Sequence, residues 1–268
     1  MEYIANLNPI LQGLIATLFT WFITALGAGV VFFFKKANKL VMDLMLGFGA
    51  GVMIAASFWS LLSPAITLCE ELGKNSWLSP AIGFISGALF IVLADIIFSK
   101  LSFTDIIKNK AHNKESFRRS LLLTVAVTLH NIPEGMAVGV AFGCASLGIP
   151  NCDLISAILL AVGIGLQNFP EGVSVALPLR AEGLSTKKSF FYGQLSGFVE
   201  PIAGVLGVIA AIAIRSILPF MLSFSAGAMV AVVSSELIPE AAKQHKKLTT
   251  LGVSIGFMIM MVLDVALG

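Results

Sequence analysis

Eight apolar stretches, each close to the length that crosses a bilayer, constrain this chain more than any other feature. They run near 9–34, 41–67, 77–98, 119–144, 154–179, 189–214, 216–240 and 248–267. A hydrocarbon layer about 30 Å thick takes roughly 20 helical residues to cross. Inside it every backbone N–H and C=O must find a partner within the chain, which leaves helices or closed barrels. The stretches are continuous apolar runs rather than alternating ones, so they read as helices. Only 12% of residues are charged, about half the share a soluble domain carries. The expectation is an all-α polytopic membrane protein, with residues 1–268 forming a single transmembrane domain.

The breaks between stretches carry nearly all the charge, and they carry it unevenly. With eight helices the connections fall into two sets. One holds Lys35, Lys36, Lys39, Lys100, Lys108, Lys110, Lys114, Arg118, Arg119, Arg180, Lys187, Lys188, Lys243, Lys246 and Lys247; the other holds only Lys74 and Arg215. Basic residues stay on the cytoplasmic side. The split therefore predicts both termini outside and the long connection 99–118 in the cytoplasm of a multi-pass protein of the cell (plasma or inner) membrane. A miscounted helix would scramble it. No basic patch interleaved with aromatics exists, which argues against nucleic acid. Cys69, Cys144 and Cys152 show no metal-type spacing and are odd in number, so free core cysteines are expected. Met1–Asn8 lacks a basic leader, so the first apolar run is expected to persist as a helix rather than act as a signal peptide.

Two pairs of segments echo each other. Phe48-Gly49-Ala50-Gly51-Val52-Met53-Ile54-Ala55 is similar to Phe224-Ser225-Ala226-Gly227-Ala228-Met229-Val230-Ala231. His130-Asn131-Ile132-Pro133-Glu134-Gly135 is similar to Gln167-Asn168-Phe169-Pro170-Glu171-Gly172. In the eight-helix count each pair lies on helices running in opposite directions. Similar sequence in opposite orientation predicts an inverted repeat, arranged 3+2+3, with a site near the midplane.

The hexapeptides put polar chemistry where a membrane helix should carry none. His130 and Glu134 share a helix face, and Asn131 neighbours Glu134. Pro133 and Pro170 cannot bond the carbonyls of Leu129 and Leu166, which frees acceptors inside the membrane. Glu200 adds a third carboxylate, again followed by a proline. Three unpaired carboxylates at bilayer depth cost on the order of 8–10 kcal/mol on insertion scales. Every lysine and arginine lies in a connection or at a helix end, so no internal counter-ion is on offer and a foreign cation is. Oxygen donors with one imidazole suit zinc, iron(II) or manganese. Met53 could add a thioether, which favours zinc or cadmium over magnesium. His112 and His245, among lysines, read as solvated loop residues.

His-Asn-x-Pro-Glu-Gly followed by x-Asn-Phe-Pro-Glu-Gly resembles the signature of the ZIP family of divalent metal transporters, the GufA-type bacterial branch in particular. The likeness extends through Met45–Phe48, Met53, Ala55–Ser57, Glu200-Pro201, Val233–Glu240 and Leu263–Gly268, and so covers helices two to eight. It implies the ZIP transporter fold, one transport domain, and uptake into the cytoplasm by an elevator-like shift of the helices that carry the site. It also implies ligands: Met53, His130, Glu134, Gln167 and Glu171 at one position, Asn131, Asn168 and Glu200 at a neighbouring one bridged by Glu134 and Glu171, with Ser60 and Glu236 along the pathway. Relatives carry aspartate where this chain has Asn168 and histidine where it has Ser235. One missing charge at 168 should weaken a second bound cation.

The expected function is transport of divalent transition-metal ions in a lipid bilayer, zinc first, with cadmium, iron(II) and manganese as further substrates and no cofactor. Two other classes compete. An intramembrane metalloenzyme, a protease or lipid hydrolase, would want HExxH, which is missing from the sequence. A proton-coupled carrier of an organic anion would want a membrane-embedded lysine or arginine. The sequence leaves the oligomeric state open, and relatives suggest a homodimer.

Overall fold

The computed structural model describes residues 7–34, 38–100, 114–148, 152–181, 183–213 and 215–267. Much of the connection 99–118, with His112, lies outside them. Ten α-helices run through the described residues: α1 Pro9–Gly29, α2 Lys39–Ala56, α3 Ser63–Glu71, α4 Leu78–Lys100, α5 Lys114–Ala145, α6 Leu154–Ala181, α7 Thr186–Gly197, α8 Val199–Ala213, α9 Leu218–Val232 and α10 Ile238–Leu267. Among the described residues there is no strand. Side chains cap the starts: Asn8 accepts from the Ile10 amide at 2.9 Å, Asn38 from Leu40 at 3.1 Å and Asp153 from Ser156 at 2.8 Å. Each satisfies a donor that the first helical turn leaves open.

Three expected single helices are interrupted. A π-turn at Ser57–Leu62 joins α2 to α3, and another at Val233–Leu237 joins α9 to α10. π-turns inside helices concentrate at functional sites. These two occupy equivalent places in the echoed segments, right after Phe48–Ala55 and Phe224–Ala231. The third interruption falls at Phe198, between α7 and α8. Pro201 there lacks the N–H that would reach the Gly197 carbonyl. At Lys243–Lys247, where a loop was expected, the helix bends at His245 (φ −124°, ψ 61°).

Six helical segments are long and apolar enough to cross a membrane: Pro9–Phe32, Lys39–Glu71, Leu78–Ile97, Leu154–Ala181, Thr186–Ala213 and the kinked Leu218–Ala266. Burial is inverted relative to a soluble bundle. Helix α1 buries Gln12, Gly13, Thr17, Thr20, Thr24 and Gly27 and exposes Ile15, Phe19, Phe22 and Leu26. Lipid tails take the large apolar face, and small residues let helices approach.

Glycines set the closest approaches. A Cβ on Gly47 or Gly51 of α2 would lie 2.6 Å from the Thr249 carbonyl oxygen or 2.1 Å from that of Val253 on α10. The same holds for Gly83 and Gly87 of α4 at Phe220 and Phe224 of α9, and for Gly135 and Gly139 of α5 at Glu200 and Gly204 of α8. On α6, Gly165 meets Phe19 and Gly172 meets Thr24 and Ala28 of α1. In each pair the residue numbers rise together, so all four pairs are parallel.

Candidate metal centre

Helices α5 and α6 run unbroken through Pro133 and Pro170. Their hexapeptides face one another with α8 and α1 alongside. Glu134 and Glu200 are fully buried and Glu171 is 3% exposed. The glycine closing each hexapeptide has a packing reason that sequence reasoning missed. Gly135 abuts the backbone of Glu200, where a Cβ would lie 2.5 Å from its carbonyl oxygen, and Gly172 abuts Thr24 of α1. These contacts draw α8 and α1 against the site.

Gln167 donates from Nε2 to Glu134 Oε1 at 2.5 Å. Asn168 donates from Nδ2 to Glu200 Oε1 at 2.8 Å and to the Thr20 carbonyl at 3.1 Å. Thr20 Oγ1 donates to Glu200 Oε2. Asn131 Nδ2 is turned away from the carboxylates and donates to the Ser196 carbonyl at 2.9 Å. Each amide thus spends its N–H groups on protein acceptors and leaves its oxygen. Among the described residues, Asn131 Oδ1, Glu134 Oε2, Gln167 Oε1, Asn168 Oδ1 and Glu171 Oε2 are buried acceptors with no hydrogen-bond donor. Buried acceptors in native proteins are almost always partnered. Five orphan oxygens on two packed helices could be satisfied by a species that is purely electron-accepting. A metal cation is such a species. Glu134 also lies within electrostatic reach of Glu171 and Glu200, so a cation would relieve repulsion as well as desolvation.

Among the described residues no three His, Cys, Asp or Glu side chains close on one point. The amide oxygens therefore carry a real share of any coordination. The His130 backbone lies in α5, and its side chain falls outside the described residues. Met53 is fully buried on α2, and Gly49, one turn earlier, packs on Gln167 of α6. Ser57 Oγ donates to the Met53 carbonyl at 2.7 Å, which occupies that carbonyl beside the π-turn. Ser60 donates to Asp264 Oδ1 at 2.8 Å, away from the five oxygens. Glu236 lines a cavity of about 760 Å³ together with Glu171, Ser174, Asp43, Glu240, Lys39 and Lys243. Of the expected ligands whose side chains are described, only Glu171 reaches that cavity.

The structure corrects two readings. Cys144 and Cys152 are joined in a disulfide across the α5–α6 connection, while Cys69 is free and buried. The spacing could not reveal this, because the Cα atoms come to 5.6 Å only once the connection has turned back on itself. His245 is not a solvated loop residue: its Nδ1 lies 2.8 Å from Oδ2 of the buried Asp43. Sequence reasoning also missed Thr20. A threonine in an apolar run gives no warning that a carboxylate far along the chain lies beside it.

A family model described as ZIP Zinc transporter matches residues 104–264. The chain is 41% identical to the zinc transporter ZIP11 of Xenopus tropicalis, over 97% of this chain and 98% of that protein. It is 37% identical to the human zinc transporter ZIP11 with the same shares covered. It is also 35% identical to the zinc transporter GufA of Myxococcus xanthus, over 96% of this chain and 99% of that protein. With full-length relatives, the family model and buried carboxylates and amides on both signature helices, the chain belongs to the ZIP family.

Proposed function

We propose that this protein carries divalent transition-metal ions, zinc foremost, across the membrane into the cytoplasm by alternating access. The observation that carries the reading is the set of five orphan oxygens on α5 and α6, in a membrane interior to which the sequence supplies no lysine or arginine. Buried carboxylates without a cationic partner in a membrane helix mark an ion pathway. The donors suit zinc, and iron(II), manganese and cadmium are further substrates of the same chemistry. Met53, His130, Glu134, Gln167 and Glu171 form the first position and Asn131, Asn168 and Glu200 line a neighbouring one, with Ser60 and Glu236 on the route.

Eight passes account for the helices: α1, α2–α3, α4, α5, α6, α7–α8, α9 to the start of α10, and α10 beyond His245. The four parallel glycine-packed pairs then join passes one and five, two and eight, three and seven, and four and six. Each pair has matching parity, as parallel neighbours must. Exchanging passes one to three with six to eight, and four with five, maps this pairing onto itself. That supports the 3+2+3 inverted repeat in one transport domain. The charge split supports termini outside, and the disulfide between α5 and α6 then lies on the extracytoplasmic side, where disulfides persist. The cavity beside Glu171 has Lys39 and Lys243 in its wall and opens to the cytoplasm. Seven of the ligands sit on α5, α6 and α8, packed with α1, whereas Met53, Ser60 and Glu236 sit elsewhere, on α2 and in the two π-turns. That division supports an elevator-like shift of one group past the other.

Uptake of radioactive zinc by cells, wild type against Glu134→Ala and Glu171→Ala, tests the reading. Loss of at least ninety per cent of saturable uptake is expected for each, at unchanged surface expression. Unchanged uptake in either variant sinks it.

A further inference from the structure

Among the three buried carboxylates Glu200 stands apart. Glu134 and Glu171 each keep an oxygen without a donor. Both oxygens of Glu200 are taken, Oε1 by Asn168 Nδ2 and Oε2 by the Thr20 hydroxyl, with the Thr24 side chain one turn on as a weaker third partner. Asn168 holds the arrangement from the other side, because its Nδ2 also donates to the Thr20 carbonyl. Thr20, Asn168 and Glu200 close a three-residue ring that links α1, α6 and α8, and all three are fully buried. Hydrogen bonds to an ionised acceptor are about twice as strong as neutral ones, so this ring competes with a cation for Glu200.

The Thr20 hydroxyl has one proton and two acceptors in reach. Besides Glu200 it lies 3.0 Å from the Thr17 carbonyl, one turn back on α1. It can therefore release Glu200 and still be satisfied, by turning its proton to Thr17. Threonine side chains make such bonds to carbonyls one turn back within a helix, at a slight cost to the helix.

On the reading that the orphan oxygens bind a cation, we infer that Thr20 is a positioning residue that fixes occupancy at one tightly held metal ion per chain. It does so by keeping Glu200, with Asn168, out of the coordination sphere. The tight cation sits among Glu134, Gln167 and Glu171, and a second can enter only by breaking the Thr20 bond.

The test is zinc stoichiometry on the detergent-purified full chain, by calorimetric titration with zinc alone, paired with KM and Vmax for zinc uptake. Thr20→Val keeps the shape and removes the donor; Thr20→Ser keeps the donor. Wild type and Thr20→Ser are expected to bind one zinc tightly. Thr20→Val is expected to bind a second within about tenfold of the first, with KM changed at least threefold and the Ser variant restoring it. Asn168→Asp removes the other donor and adds a carboxylate. It is expected to bind two, and it carries the test should Thr20→Val fail to fold. Two equal sites in the wild type, or one site in every variant, overturns the inference and leaves the transport reading standing. A wild-type chain that neither binds nor moves zinc overturns both.

Discussion

Gln167 shows how single side chains prepare the site. Its amide splits its two ends, donating from Nε2 to Glu134 and leaving Oε1 without a donor. Gln167→Leu keeps the bulk but strips both functions, so Glu134 loses the Gln167 donor and the site loses one oxygen. A buried acceptor that loses its only partner costs about 1–3 kcal/mol. Each 1.4 kcal/mol is tenfold in an equilibrium constant, so a rise of about tenfold or more in zinc KM is expected. Gln167→Glu, which supplies oxygens but no N–H, should weaken uptake less at high pH than at low. The check is zinc uptake against concentration at two pH values. The residue scale is where the sequence said most: the seven polar candidates on α5, α6 and α8 stand out because polar groups inside apolar helices have no cheap alternative explanation.

Between elements, glycine contacts set the closest approaches around a buried apolar core. Gly135 is the case nearest the candidate site, since its hydrogen sits where a Cβ would meet the Glu200 backbone. Gly135→Val would force α8 outward and carry Glu200 with it. Overpacking of this kind costs about 1–3 kcal/mol. A lower melting midpoint by fluorescence-detected size exclusion, with loss of uptake, is expected. His245→Ala tests a different joint. It removes the imidazole that Asp43 meets at the bend of α10 and leaves a buried carboxylate beside the acidic cavity. The expected result is a destabilisation of about 1–3 kcal/mol with zinc binding at the five oxygens unchanged. A shift in the tight zinc affinity would show that the bend and the site are one unit.

At the scale of the whole molecule the charge split, the parallel pairs and the disulfide make one topological statement. A membrane-impermeant reductant followed by an impermeant maleimide should label Cys144 and Cys152 in intact cells, while a cysteine placed at Lys246 should label only after permeabilisation. The reverse pattern would invert the orientation. The helical membrane spans were legible because an apolar run long enough to cross a bilayer is visible in composition alone. The breaks within passes were not, since a π-turn such as Ser57–Leu62 or the interruption at Phe198 changes no composition.

Composition, span length and the two hexapeptides by themselves determined a polytopic helical protein with carboxylates and amides set inside two neighbouring apolar helices. These are properties of the bilayer as solvent: it penalises each polar group separately, so each announces itself in one dimension. Only the tertiary structure decided which donors meet which acceptors. It gave Glu200 to Thr20 and Asn168, paired His245 with Asp43, joined Cys144 to Cys152, and left five oxygens bare. Those outcomes depend on how glycine lets one backbone lie against another, and a hydrogen bond between residues 180 positions apart has no local trace.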